Sequence, residues 1–164
     1  MARRKSEGDI PQSAYDKALG LLARREHSAR ELKTKLAQRG LDSGESAKAL
    51  AQLKEKDYQS DARFGEMLVR SRLEGGYGER WIVAELRTHG IAEHKAHELI
   101  EAAEPDWPEL IRRQLRRRYG GKRPKDMAER NKRAAFLLRR GFDVHTVKMV
   151  TRADGLDDSP DEAD

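Results

Sequence analysis

Leu36-Ala37-Gln38-Arg39-Gly40-Leu41 decides the fold, because its pattern occurs twice more, as LRTHGI at Leu86 to Ile91 and LLRRGF at Leu137 to Phe142. Each string places an apolar residue, three further positions, a glycine and another apolar residue in that order. Glycine adopts the left-handed conformation that closes a Schellman motif, in which the apolar residues before and after it touch. The pattern therefore predicts three helix stops at Gly40, Gly90 and Gly141, with Leu36 meeting Leu41, Leu86 meeting Ile91 and Leu137 meeting Phe142. A shared stop recurring at about 50 residues is the mark of a tandem repeat.

Working outward, each stop sits in a unit of three helices. Ser28-Ala29-Arg30-Glu31 forms a capping box that starts the helix ended by Gly40. The equivalent start in the second unit is Gly78, ahead of Trp81, Ile82 and Leu86; in the third it lies near Asp126, after Pro124. Flanking stripes follow helical spacing. They are Tyr15, Ala18, Leu19 and Leu22 with Ala47, Leu50 and Leu53 in the first unit, and Phe64, Met67 and Leu68 with Ala96, Leu99, Ile100 and Ala103 in the second. In the third unit Asp106 and Pro108 begin a helix holding Leu110, Ile111 and Leu115, and Asp143 caps a short helix with Val144, Val147 and Val150. No stretch shows strand alternation with hairpin turns. The expected fold is all-α, an elongated, curved array of three tandem three-helix repeats over residues 14–60, 61–104 and 105–153. A flexible segment is expected at 1–13 and a disordered acidic tail at 154–164. One compact nine-helix bundle with accidental internal similarity is the alternative.

Composition narrows the function. Apolar residues are 37% and charged residues 38% of 164, while aromatics are 5%, too few to line a deep apolar pocket. The absence of cysteine excludes disulfides, thiolate metal sites and cysteine nucleophiles, and fits a reducing cytosol. MARRKSEGDIPQ has no apolar run after its basic residues and does not read as a signal peptide, and no segment approaches bilayer-spanning length. A soluble, cytoplasmic protein without a membrane partner is expected.

The net charge of +5 is unevenly placed. Residues 105–152 hold about 15 basic and 5 acidic side chains, and the last twelve carry about six acids and no base. The basic set Arg112, Arg113, Arg116, Arg117, Arg118, Lys122, Arg123, Lys125, Arg139 and Arg140 suits contact with DNA phosphate or an acidic protein partner. Arg112 with Arg116 and Arg113 with Arg117 share helix faces at i, i+4, giving an expected double row. A solvated face that keeps a thin protein in solution is the bland alternative.

Other chemistry is sparse. His94 and His97 lie at i, i+3 beside Glu98, without the H-E-x-x-H order of a zinc helix, and read as surface histidines. GGYG (Gly75 to Gly78) and GGKRPK (Gly120 to Lys125) lack the layout of a phosphate-cradling P-loop and read as turns, the second unusually cationic. No catalytic constellation, cofactor, metal or small-molecule substrate is expected.

Three stretches together resemble the RecX family. REHSARELKTKLAQRG (Arg25 to Gly40) is similar to its first motif, DARFGEMLVRSRLEGGYGERWIVAELRTHGI (Asp61 to Ile91) to its second, and LLRRGF to its third. The resemblance implies three tandem three-helix repeats and a non-enzymatic regulator. It also implies binding to the RecA recombinase and its filament, on single-stranded and also double-stranded DNA, in recombination, repair and the SOS response. Such a protein limits filament growth, strand exchange and ATP hydrolysis. This sequence departs from the pattern at Arg133, which stands where the first two units carry Leu32 and Ile82, and in its long acidic end.

Overall fold

A computed structural model describes residues 13–153; the expected flexible N-terminal segment, apart from Ser13, and the expected acidic tail lie outside the described residues. The described residues form nine α-helices and no strand, so the chain is all-α. They are α1 (Ala14–Leu22), α2 (Ala29–Gln38), α3 (Ser43–Glu55), α4 (Asp61–Glu74), α5 (Glu79–Thr88), α6 (Glu93–Ala102), α7 (Trp107–Tyr119), α8 (Met127–Arg139) and α9 (Val144–Ala153). Two compact units divide the chain inside α4, between Phe64 and Gly65.

In the first unit α1, α2 and α3 pack on one another around Ala14, Ala18, Leu36, Ala49 and Leu53, all buried. Their starts are written in short polar side chains. Ser13, Ser28 and Asp42 each accept the N–H three residues on, from Asp16, Glu31 and Glu45, satisfying a donor that the first turn leaves open. Leu36 and Leu32 of α2 are fully buried. The α2 stop has the Schellman hydrogen bonds: Leu41 N–H donates to Leu36 C=O and Gly40 N–H to Ala37 C=O, with Gly40 at φ +76°. The first turn of α4 is tied down locally, since Asp61 Oδ1 accepts from Ala29 N–H and Gln59 Nε2, and Arg63 pairs with Glu26 at 2.9 Å.

In the second unit the same stop recurs. Ile91 N–H donates to Leu86 C=O with Gly90 at φ +80°, and Phe142 N–H donates to Leu137 C=O with Gly141 at φ +91°. Ile82, Leu86 and Ile100 are buried where α5 packs on α6, and a bidentate Arg72–Glu85 pair joins α4 to α5. Asp106 caps α7, with Trp107 rather than Pro108 as the first helical residue. The α7, α8 and α9 helices enclose Ile111, Leu115, Leu137, Phe142, Val147 and Val150, and Trp107 meets Phe142 edge to face at 6.2 Å.

Helix α5 starts at Gly78, which has no side chain to cap it. The end of α8 supplies the missing acceptors: Gly78 N–H donates to Arg140 C=O at 2.8 Å and Arg80 N–H to Gly141 C=O at 3.1 Å. The open donors of one helix thus meet the open acceptors of another, positive end of one dipole against negative end of the other. Only glycine fits on either side. A Cβ on Gly78 would lie 2.2 Å from Phe142 N, and one on Gly141 2.5 Å from Trp81 N.

Candidate functional site

The third repeat carries the cations, and the structure sorts them by what each touches. Helix α7 buries Ile111, Gln114 and Leu115. Arg113 lies beside that buried stripe, half-buried, and its Nη2 donates to Leu73 C=O at the end of α4 while its Nε is buried without a partner among the described residues. Arg113 and Arg117 therefore do not form a free second row. Arg116 reaches back two turns to Glu109 at 2.6 Å and Arg112 approaches the same carboxylate at 3.7 Å, and this Arg116 contact holds the Glu109 carboxyl below its ordinary range. Arg118 lies over the Phe136 ring, 4.3 Å from its centroid.

Arg140 is a bracket between segments. Its Nε and Nη2 donate to the carbonyls of Gly76 (3.1 Å) and Gly75 (2.7 Å), and its guanidinium covers the Tyr77 ring at 4.2 Å. GGYG is thus the turn that Arg140 grips. Arg117, Lys122, Arg123, Lys125 and Arg139 remain; all five are exposed, and none is ion-paired with another described residue. Of the ten cations singled out in the sequence, these five are available to a partner without breaking a fold contact.

Reading for charge and spacing leaves the roles of two features unassigned. The first is Arg133 of α8, eight residues before the Gly141 stop, where Leu32 and Ile82 fill the other repeats. It is only 7% exposed. Its Nη1 donates to Lys122 C=O (2.7 Å), its Nη2 to Glu129 Oε1 (2.9 Å), and its guanidinium sits 4.2 Å from the Tyr119 ring centroid. The Lys125 N–H and then the Arg133 guanidinium hold Glu129 below the usual carboxylate range. The departure from the apolar pattern was the available signal. The second is an aromatic pair with one exposed member: Trp81 stacks on half-buried Tyr77 at 4.9 Å while Ile82 and Leu86 take the buried side of α5. Trp81 is 46% exposed, and its position next to Ile82, off the 82–86 stripe, was the clue.

His94 and His97 are exposed, His97 Nδ1 lies 2.9 Å from Glu79, and among the described residues no group of three or more His, Asp or Glu could hold a metal ion.

Three small helical repeats with a cationic third member define a class of tandem three-helix modules. Comparison with known proteins narrows the class. The RecX first three-helix domain matches residues 14–53, the second 60–103 and the third 104–151, and the chain belongs to the RecX family. It is 45% identical over 143 residues to Regulatory protein RecX of Stenotrophomonas maltophilia (strain R551-3), covering 87% of this chain and 88% of the relative. It is 41% identical over the same length to Regulatory protein RecX of Xanthomonas axonopodis pv. citri (strain 306), covering 87% and 88%. The fold is similar to the crystal structure of RecX from Lactobacillus salivarius, with TM-score 0.67 and 20% identity, covering 85% of this chain and 93% of that one. A second RecX crystal structure matches with TM-score 0.71 and 21% identity, covering 85% and 70%. The family is one of non-enzymatic regulators with an all-helical fold. No described helix is long and apolar enough to cross a membrane.

Proposed function

We propose that this chain acts in the cytoplasm by binding the RecA recombinase and its nucleoprotein filament, and that it limits filament growth, strand exchange and ATP hydrolysis. Family membership across all three repeats carries the reading. The exposed cations of the third repeat support it, because positive charge steers association towards a negatively charged nucleoprotein surface. Steric occupation is the simplest mechanism: a bound chain hinders protomer addition and needs no reaction of its own.

A plain helical DNA binder, acting through the same five cations without a recombinase, is the second reading. One titration separates them. The labelled chain is titrated with recombinase-coated single strands and, in parallel, with bare strands. Tighter binding to the coated strand with falling ATP hydrolysis supports the filament reading; equal binding to both refutes it. On bare single strands, five available cations limit the slope of log K against log salt to about −3.5, at roughly −0.7 per phosphate. All ten would give about −7.

A further inference from the structure

We propose that the third repeat holds a built phosphate-binding cavity, lined by Arg112, Arg116, Lys122, Arg123 and Arg133 and rimmed by Ala153. The cavity has a volume of about 330 Å³ and lies between α7, the α7–α8 turn, α8 and the end of α9. Its size is that of a small-molecule pocket. Five of its lining residues are cations and none is an acid, so the cavity favours anions.

The cations are held in place. Arg133 is nine-tenths buried where the other two repeats bury Leu32 and Ile82, and it is fixed by Lys122 C=O, Glu129 and the Tyr119 ring. Its Nε is buried with no hydrogen-bond partner among the described residues. Arg112 and Arg116 are aligned by Glu109, which stands outside the lining. Lys122 and Arg123 ride on a turn with two left-handed glycines, Gly120 and Gly121, pinned by buried Pro124. Guanidinium groups present paired N–H donors that match the oxygens of phosphate, and those donors strengthen when preorganised and partly desolvated. The ligand chemistry is a phosphate oxyanion, from a nucleic-acid backbone or from a terminal or free phosphate.

The inference stands apart from the recombinase reading, and its test uses no recombinase. Inorganic phosphate and pyrophosphate are titrated calorimetrically into the full chain at low salt. Saturable binding of one pyrophosphate per chain is expected, weakened roughly tenfold in Arg123→Gln by loss of a charge-assisted contact. Arg139→Gln removes an exposed cation outside the lining and should leave the affinity unchanged. Arg133→Leu, which restores the residue type of the other repeats, should abolish binding while the melting transition is retained. Absence of saturable binding, or equal weakening by Arg123→Gln and Arg139→Gln, overturns the proposal. Displacement of pyrophosphate by an unphosphorylated single-stranded oligonucleotide assigns the source to backbone phosphate. Displacement only by the 5′-phosphorylated form assigns it to a terminal group.

Discussion

Replacing Gly141 with alanine should damage the second unit far more than replacing Gly120, although both glycines are left-handed, at φ +91° and +65°. A left-handed non-glycine residue costs about 1–2 kcal/mol, and that is all Gly120→Ala should cost, because a Cβ there meets nothing within 4 Å. At Gly141 the new Cβ would lie 2.5 Å from Trp81 N and 2.8 Å from Trp81 Cβ. Backbone cannot yield as a flexible side chain does, so the start of α5 must move off the end of α8. That movement breaks the Gly78-to-Arg140 and Arg80-to-Gly141 hydrogen bonds. At about 0.5–1.5 kcal/mol each, the two add roughly 1–3 kcal/mol. Both tryptophans, Trp81 and Trp107, lie in the second unit, so thermal unfolding followed by tryptophan fluorescence reports on it. With about 4–8 °C lost per kcal/mol in a domain of this size, Gly141→Ala should melt roughly 10 °C below Gly120→Ala. Equal melting temperatures would refute the backbone-on-backbone junction.

Arg140→Lys keeps a charge but loses the planar fork that grips Gly75 and Gly76 and covers Tyr77. It should destabilise the second unit by about 1–3 kcal/mol in urea titration, whereas exposed Arg139→Lys should stay within about 0.5 kcal/mol; matched midpoints would show that Arg140 is not a bracket. His27, 3% exposed, has its pKa lowered below 6.5, chiefly by burial. Below pH 6.5 the unfolded chain therefore takes up a proton more readily than the folded one, and the first unit should lose stability as pH falls from 6.5 towards the lowered value. Circular dichroism melts between pH 7.5 and 5.5 should show this slope in the wild type and a flatter one in His27→Gln; parallel profiles would exclude the histidine. The Glu31 carboxyl, lowered by Arg25 against an opposing burial effect, acts in a separate window below 4.5. Deleting residues 154–164 removes six acids from the chain beyond Ala153 and should tighten binding to single-stranded DNA about three- to tenfold at low salt, converging at high salt. Identical affinities at low salt would leave the tail no part in competing for the basic face.

The helical class was legible because its signals are local. Apolar spacing, the Ser28 cap and the glycines of the stop strings act within one or two turns, where a sequence can be read directly. The ends of α3 and α6 were less legible. Asp57 and Glu104 take the left-handed position at φ +60° and +48°, and without a glycine nothing marks them. The start of α5 was legible as a position but not as a mechanism, because its acceptors lie about 60 residues away at the end of α8. The basic face was the hardest to resolve. An i, i+4 pattern shows which arginines are neighbours on a helix but not which neighbour meets another element. Arg113 and Arg117 share that spacing, yet Arg113 donates to α4 and Arg117 is exposed.

Charge in the third repeat has two physical uses, and only one of them is spent on solvent. With few aromatic and large aliphatic residues available, the module completes its packing with guanidinium groups: Arg118 on Phe136, Arg133 on Tyr119 and Arg140 on Tyr77. A guanidinium is weakly hydrated and planar, so it can cover a ring and still direct its N–H groups to carbonyls, which an ammonium cannot do as well. Arg133 and Arg140 each satisfy backbone carbonyls in this way, Lys122 for the one, Gly75 and Gly76 for the other. No lysine side chain makes these contacts; the lysines of the third repeat, at 122, 125, 132 and 148, are all exposed. The division between arginine inside and mixed cations outside follows from that difference in hydration. It also explains why total charge overstates the binding face: Arg140, which grips Gly75 and Gly76 and covers Tyr77, releases no counterion when phosphate arrives.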